Sequence, residues 1–169
     1  MNLERATKIA EKIVSELAPL CEKIEIAGSI RRQRPEVNDI DLVVLPRDAA
    51  GLRRRVLHSK PFIIAGGQWT LEVELAGGVR LDIWIAGHRD LDMFGATGCA
   101  HNFGSLLLLR TGSIGHNVWL LHAAKSRGLT WNTQQGIYDG HGRCVASETE
   151  ADIFKALGID FINPEDRER

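Results

Sequence analysis

The chain has 169 residues, 44 % of them hydrophobic and 25 % charged, with a formal net charge of −1 at pH 7. This length allows one domain or two small ones sharing an interface, and the near-neutral charge argues against general nucleic-acid binding through bulk attraction. No apolar run approaches the roughly 20 residues of a membrane helix and no charged-then-apolar leader opens the chain, so an intracellular protein without a membrane partner is expected.

Leu3, Ala6, Ile9, Ala10, Ile13, Val14 and Leu17 recur at helical spacing, with Asn2 as N-cap and Pro19 as terminator, so a helix is predicted over 3–18. Lys23 to Ala27 alternates and feeds Gly28. Ile40 to Leu45 reads as the next strand, stopped by Pro46, and Ala49 to His58 as a short helix with an arginine-rich outer face. Trp69–Leu75 and Val79–Ile85 both alternate and are joined by Gly77-Gly78, a hairpin signal with a two-residue loop.

Beyond Asp92 the pattern changes. Residues 99–110 and 116–127 read as helices, the second stopped at Gly128. Short strands are predicted at Leu129–Trp131 and Gly136–Tyr138, and Ser147-x-x-Glu150 reads as a capping box on a helix ending at Gly158. A boundary is expected near residues 87–95, giving domains 1–92 and 93–169. The first is an α/β unit: a helix followed by a mixed sheet.

Charge is unevenly spread. Residues 93–147 hold Arg110, Lys125, Arg127 and Arg143 against the single acid Asp139, whereas 148–169 hold three basic residues against seven acids. A neutral total thus hides basic faces, and any polyanion binding should be modest and salt-sensitive. Cys21, Cys99 and Cys144 are odd in number, widely spaced and without CxxC spacing, so free buried thiols are expected. The six histidines form no HExxH pair and give no metal signal of their own.

The chemistry concentrates in GSIRRQRPEVNDIDLVV, residues 28–44. Side chains two apart on a strand share a face about 6–7 Å apart along the chain. Asp39, Asp41 and Val43 then point one way, and Arg80, Asp82 and Trp84 share a face of the hairpin's second strand. If the strands are neighbours, three carboxylates converge. They repel one another unless cations neutralise them, and hard divalent ions such as Mg²⁺ suit such a cluster. Upstream, Gly28-Ser29 permits a turn whose N–H groups and hydroxyl face an anion, and Arg32 can pair with a phosphate. Taken alone, Asp-x-Asp also suits solvated strand-end residues, and Gly-Ser a plain turn.

The combination of Gly28-Ser29-Ile30-Arg31-Arg32, Asp39-Ile40-Asp41 and Arg80-Leu81-Asp82-Ile83 resembles the family X DNA polymerases, the nucleotidyltransferase fold of DNA polymerase beta. Thr111-Gly112-Ser113 followed by His116-Asn117 resembles the family's thumb motif. The end of the chain, from Glu148-Thr149-Glu150 to Pro164-Glu165, has the matching terminal helix and Pro-Glu-x-Arg close. The resemblance spans nearly the whole chain and implies an α+β fold. A nucleotidyltransferase palm, a mixed β-sheet with helices on one side, would be followed by a small α/β thumb, without the family's lyase and helix-hairpin-helix regions.

The resemblance further implies that Asp39, Asp41 and Asp82 are catalytic and bind two Mg²⁺, with Mn²⁺ as substitute. Gly28, Ser29, Arg32, Gly112, His116 and Asn117 would bind the nucleotide, and Arg80 and Arg110 the primer or other DNA. The partners implied are a dNTP and gapped or primed DNA, and a monomer is expected. Three positions depart from the family: Leu109-Arg110 stands in place of Tyr-Phe, Ile114 in place of a polar residue, and Leu121 in place of a template-facing arginine. They lead to the expectation of a weak template check and low fidelity.

Other features have plainer readings. Asp90-Leu91-Asp92 lacks a preceding Gly-Ser and a following strand, and reads as linker and helix start. His101 reads as structural, and His116 as either a nucleotide contact or a surface residue. At least three of Trp69, Trp84, Trp119 and Trp131 are expected in the core or half-core. Arg53–Arg55 reads as a solvated helix face, with phosphate contact as the alternative. The leading function is gap-filling DNA synthesis in repair. The alternatives are template-independent transfer, transfer to a small molecule, RNA or protein, and a non-catalytic repair scaffold.

Overall fold

The helical spacing at the start of the chain yields α1 (Leu3–Leu17), with Ala6, Ala10 and Leu17 buried. Asn2 caps it by accepting the Arg5 N–H at 3.0 Å, and Pro19 lies in the 3₁₀ turn Ala18–Leu20 that follows. The computed structural model of the protein describes residues 1–58, 62–88 and 98–168. The chain divides into two units, Met1–Ala86 and Gly87–Arg169. The expected boundary after residue 92 and the Asp90-Leu91-Asp92 pair lie outside the described residues.

In the N-terminal unit, β1 (Cys21–Ile26), β2 (Asp39–Pro46), β3 (Phe62–Gly66), β4 (Thr70–Leu75) and β5 (Val79–Ile85) form one sheet in the order β1-β2-β5-β4-β3. The β2–β5 pair is parallel and the other pairs are antiparallel, so the sheet is mixed. A single turn, α2 (Gly28–Arg31), links β1 towards β2, and α3 (Ala49–His58) follows β2. Ile40, Leu42, Val44, Leu81 and Ile83 share one buried cluster with Ala6 and Ala10 of α1 and Leu52 and Val56 of α3. The helices therefore cover one face of the sheet, and strand alternation sends Asp39, Asp41, Arg80 and Asp82 to the other. Truncating a leucine or isoleucine in this cluster to alanine costs about 2–5 kcal/mol.

Two details depart from the sequence reading. Strand β3 was not anticipated, because Phe62, Ile63, Ile64 and Ala65 are all apolar and give no alternation; as the edge strand it leaves them exposed. The hairpin loop is also longer by one. Leu75 pairs with Val79, so Ala76, Gly77 and Gly78 form a three-residue connection, in which both glycines have positive φ (87° and 74°).

The C-terminal unit contains α4 (Phe103–Thr111), α5 (Ile114–Ser126), β6 (Thr130–Asn132), β7 (Gly136–Tyr138), β8 (Cys144–Ala146) and α6 (Glu150–Ala156). The three short strands make an antiparallel sheet. Leu108, Leu120, Ala124, Trp131, Ile137, Ile153, Phe154 and Leu157 form its core. The capping box shifts by two residues: Thr149, rather than Ser147, accepts the Asp152 N–H at 3.1 Å, and its hydroxyl donates to Asp152 at 2.7 Å. Ser147 instead donates to the His101 carbonyl at 2.6 Å. All three cysteines are free and buried. Among the described residues no helix is long and apolar enough to cross a membrane.

Candidate functional site

The parallel pairing of β2 with β5 sets the register of the acidic face. Asp39 lies opposite Arg80, and Asp41 lies opposite Asp82. On the other side of β5, Glu74 pairs with Arg80 and Glu72 with Asp82. Two rows therefore cross the sheet, Glu72–Asp82–Asp41 and Glu74–Arg80–Asp39. The structure brings together the three aspartates and Arg80 expected from the sequence and adds Glu72, which was not among the candidates.

Asp82 is almost fully buried, whereas the Arg80 side chain is 49 % exposed. Arg80 grips Asp82 with two parallel bonds, Nε to Oδ1 at 3.0 Å and Nη2 to Oδ2 at 2.8 Å. The same Nη2 lies 3.9 Å from Glu72 Oε2. These hydrogen bonds and the Asp82 charge raise the Arg80 pKa above its ordinary value; Asp39 and Glu72 add to this, and desolvation opposes it. Trp84, on the same face, donates from Nε1 to Asp41 Oδ1 at 3.1 Å.

The glycine turn sits directly against Asp41. Gly28 has φ +60°, and a Cβ there would lie 2.1 Å from Asp41 Oδ2 and 3.0 Å from its Cγ. Only glycine lets the backbone approach this carboxylate so closely. The Ala27 N–H donates to the Asp41 carbonyl at 2.8 Å, fixing the turn to β2. Among the described residues Ser29 Oγ is buried without a hydrogen-bond partner, a polar atom in want of a ligand on the turn that meets Asp41. Arg32 closes the turn, its N–H donating to the Gly28 carbonyl at 3.3 Å.

Whether these residues suit a divalent cation turns on their chemistry. Among the described residues, no three carboxylate, imidazole or thiolate groups converge closely enough to hold an ion by themselves. Mg²⁺ does not require that, since it usually takes one or two carboxylates and completes its shell with water and substrate phosphates. Facing carboxylates at Asp41 and Asp82, Asp39 two residues away, a glycine cradle and all-oxygen donors fit such an ion.

In the C-terminal unit, the Thr111-Gly112-Ser113 segment ends α4 and starts α5. Ser113 Oγ accepts the His116 N–H at 3.3 Å and donates to the Arg167 carbonyl at 2.8 Å. The Asn117 amide donates to the Leu109 carbonyl at 2.9 Å, and among the described residues its oxygen has no partner. Arg110 is half-buried on α4.

His116 departs from the surface-residue alternative. It is fully buried, with ring centroids 5.7 Å from Trp119 and 6.0 Å from Phe154, so its side chain belongs to the core. His101 is buried, as read from the sequence. Trp131 is buried, Trp84 and Trp119 are half-buried, and Trp69 is exposed. Arg53 donates to the carbonyls of Gly67 and Gln68 and so clamps the β3–β4 turn, while Arg54 and Arg55 face Asp48 and Glu16.

The departures on α5 have a structural counterpart. Ile114, Val118 and Leu121, at helical spacing, are all exposed, Ile114 at 84 %. Behind this face, and missed from the sequence, a buried ion pair closes the unit. Arg167 Nη1 donates to Glu150 at 2.6 Å, Nε donates to the Ile162 carbonyl at 2.9 Å, and the guanidinium lies 5.4 Å from the ring centroids of Phe154 and Phe161. Helical spacing could not reveal this pair, because Glu150 reads as a cap partner and Arg167 lies 17 residues away, beyond the helix.

A mixed five-stranded sheet carrying carboxylates on its helix-free face, followed by a small α/β unit, defines the α+β fold of DNA polymerase beta. Over its whole length the chain superposes on Leishmania infantum polymerase beta in a ternary P/T complex, with a TM-score of 0.75 and 17 % identity, covering 77 % of that chain. Against the ternary gap complex of the same protein the TM-score is 0.76, with 16 % identity and 71 % of that chain covered. Residues 106–168 match the family model of the DNA polymerase beta thumb. The resemblance to family X read from the sequence therefore holds, in the fold of the whole chain and in the family of its C-terminal unit.

Proposed function

We propose that the protein is a DNA-directed DNA polymerase of family X type that adds a dNMP to a primer 3′-hydroxyl in short gaps. The observation that carries this reading is the register of β2 on β5, which puts Asp41 opposite Asp82 with Asp39 two residues away. In this reading the N-terminal unit is the palm, and Asp39, Asp41 and Asp82 hold two Mg²⁺. When bound, such ions activate the attacking hydroxyl and balance charge on the departing pyrophosphate. The chain's own groups bind and orient. Gly28 brings backbone N–H groups beside Asp41, the Ser29 hydroxyl supplies a donor, and Arg32 pairs with the triphosphate. Gly112 packs against the incoming sugar, Asn117 reads the minor-groove edge of its base, and Arg80 and Arg110 face the primer or the rest of the DNA.

The apolar stripe on α5 favours one refinement, a weak template check. Ile114, Val118 and Leu121 offer no hydrogen bond or charge to a template strand, so discrimination between correct and incorrect pairs rests on fewer polar contacts.

The decisive experiment is extension of a labelled primer on one-nucleotide-gapped, blunt and single-stranded DNA with Mg²⁺ or Mn²⁺. Extension confined to the gap is expected. Template-independent tailing would replace this reading with a terminal transferase, and no extension at all would leave a non-DNA acceptor or a scaffold. Misincorporation measured opposite all four template bases tests the second point, and discrimination like that of a replicative enzyme would remove it.

A further inference from the structure

The most buried carboxylate of the proposed site, Asp82, is not at liberty as it stands. Both Asp82 oxygens accept from Arg80, at 3.0 and 2.8 Å. A carboxylate gripped by both prongs of a guanidinium offers only its weaker acceptor directions, so engaging a cation or a hydroxyl through a stronger one opens at least one of these bonds. The guanidinium must then go somewhere. It stands on an open face, its side chain 49 % exposed, so it can swing. Asp39, its cross-strand partner on β2, is itself assigned to a cation. Glu74 is its partner on the other side but is not in an ion pair with it among the described residues. Glu72 is: its Oε2 already lies 3.9 Å from the same Nη2 that binds Asp82, and a movement of about 1 Å converts this contact into a hydrogen bond.

We infer that Glu72 is the alternative partner of Arg80, a positioning residue that takes over the guanidinium when Asp82 is engaged. The inference rests on the proposed polymerase reading and adds an exchange to it. With Arg80 on Asp82 that one carboxylate is neutralised internally; with Arg80 on Glu72, Asp82 is released and the guanidinium stays beside the site. Glu72 binds neither metal nor substrate. It acts by competing with Asp82 for one cationic side chain, so its removal commits Arg80 to Asp82 and lowers the affinity for the ion.

The test reads metal binding and needs no turnover. Mn²⁺ is titrated into the full chain, free ion being followed by electron paramagnetic resonance, for wild type, Glu72→Gln, Glu74→Gln, Asp82→Asn, Arg80→Met and the Arg80→Met/Glu72→Gln double variant. Glu72→Gln is expected to weaken Mn²⁺ binding about five-fold or more, the scale of a working coupling between two sites. Glu74→Gln should match wild type. In the Arg80→Met background, Glu72→Gln should have no effect, because there is no guanidinium left to hand over. An equal loss in both backgrounds would show simple charge attraction and overturn the inference. So would binding that depends on Asp82 yet ignores Glu72. Binding unchanged by Asp82→Asn would overturn the metal reading itself, and the inference with it. Should Glu72→Gln unfold early in a thermal melt, Glu72→Asp keeps the charge but shortens the reach, and the same comparison across the two Arg80 backgrounds decides.

Discussion

Two arginine–carboxylate pairs, one in each unit, use the same chemistry in opposite surroundings. Arg167 is entirely buried, as is nearly all of Glu150, and a backbone carbonyl and two aromatic rings close around the guanidinium. Arg80 grips an equally buried carboxylate but projects from an open sheet face, with Asp39, Glu72 and Glu74 as neighbours. A buried pair enclosed by a backbone carbonyl and aromatic rings has one arrangement. A pair with one exposed member and several acceptors in reach can change partners at little cost. Burial, more than bond length, separates the pair that holds the fold from the pair suited to chemistry.

The comparison can be broken most directly at the carboxylates. Asp82→Asn should keep the fold and lower gapped-primer extension by about three orders of magnitude, the several kcal/mol expected when cation-assisted charge stabilisation is lost; single-turnover extension beside a thermal melt measures both halves of that statement. Glu150→Ala should do the reverse, leaving the palm carboxylates intact while costing about 3–5 kcal/mol, because it strands a buried guanidinium. Denaturant unfolding would show it, and a loss of only about 0–1 kcal/mol, the scale of an exposed ion pair, would erase the distinction. Gly28→Ala forces a Cβ into the space of Asp41 Oδ2 at a residue with φ +60°, and should cut extension about 100-fold by misplacing that carboxylate on the order of 1 Å. Activity within a few-fold of wild type would mean the turn and Asp41 are not a unit. The smallest effect is expected on α5: Leu121→Arg should raise DNA affinity modestly and steepen its salt dependence by about one unit of slope, readable by fluorescence anisotropy across a salt series.

Most of the acidic face was legible because strand alternation has a fixed period: Asp39, Asp41, Arg80 and Asp82 needed only adjacent strands to converge. Glu72 was hidden by a single residue in the hairpin. A two-residue Gly77-Gly78 loop sets Glu72 opposite Ile83. The three-residue loop, with Ala76 included, sets it opposite Asp82, and a one-residue slip in an antiparallel pair changes every partner. In the C-terminal unit the limits were different. Strand β8 was not anticipated, and His116 looked accessible because it follows a turn motif, although its ring packs near those of Trp119 and Phe154. The Glu150–Arg167 pair joins residues 17 apart that local pattern assigns to other tasks.

The bond between Ser113 and the Arg167 carbonyl, spanning 54 residues, bears on how the protein is made. Every strand of the N-terminal sheet has been synthesised by Ile85, so the acidic face can assemble while the rest of the chain is still on the ribosome. The Thr111-Gly112-Ser113 turn lacks an acceptor until residue 167 has emerged. Emergence of residue 167 therefore becomes the event that completes this contact, and a nascent chain stalled a few residues earlier carries all three aspartates while the C-terminal unit is unfinished.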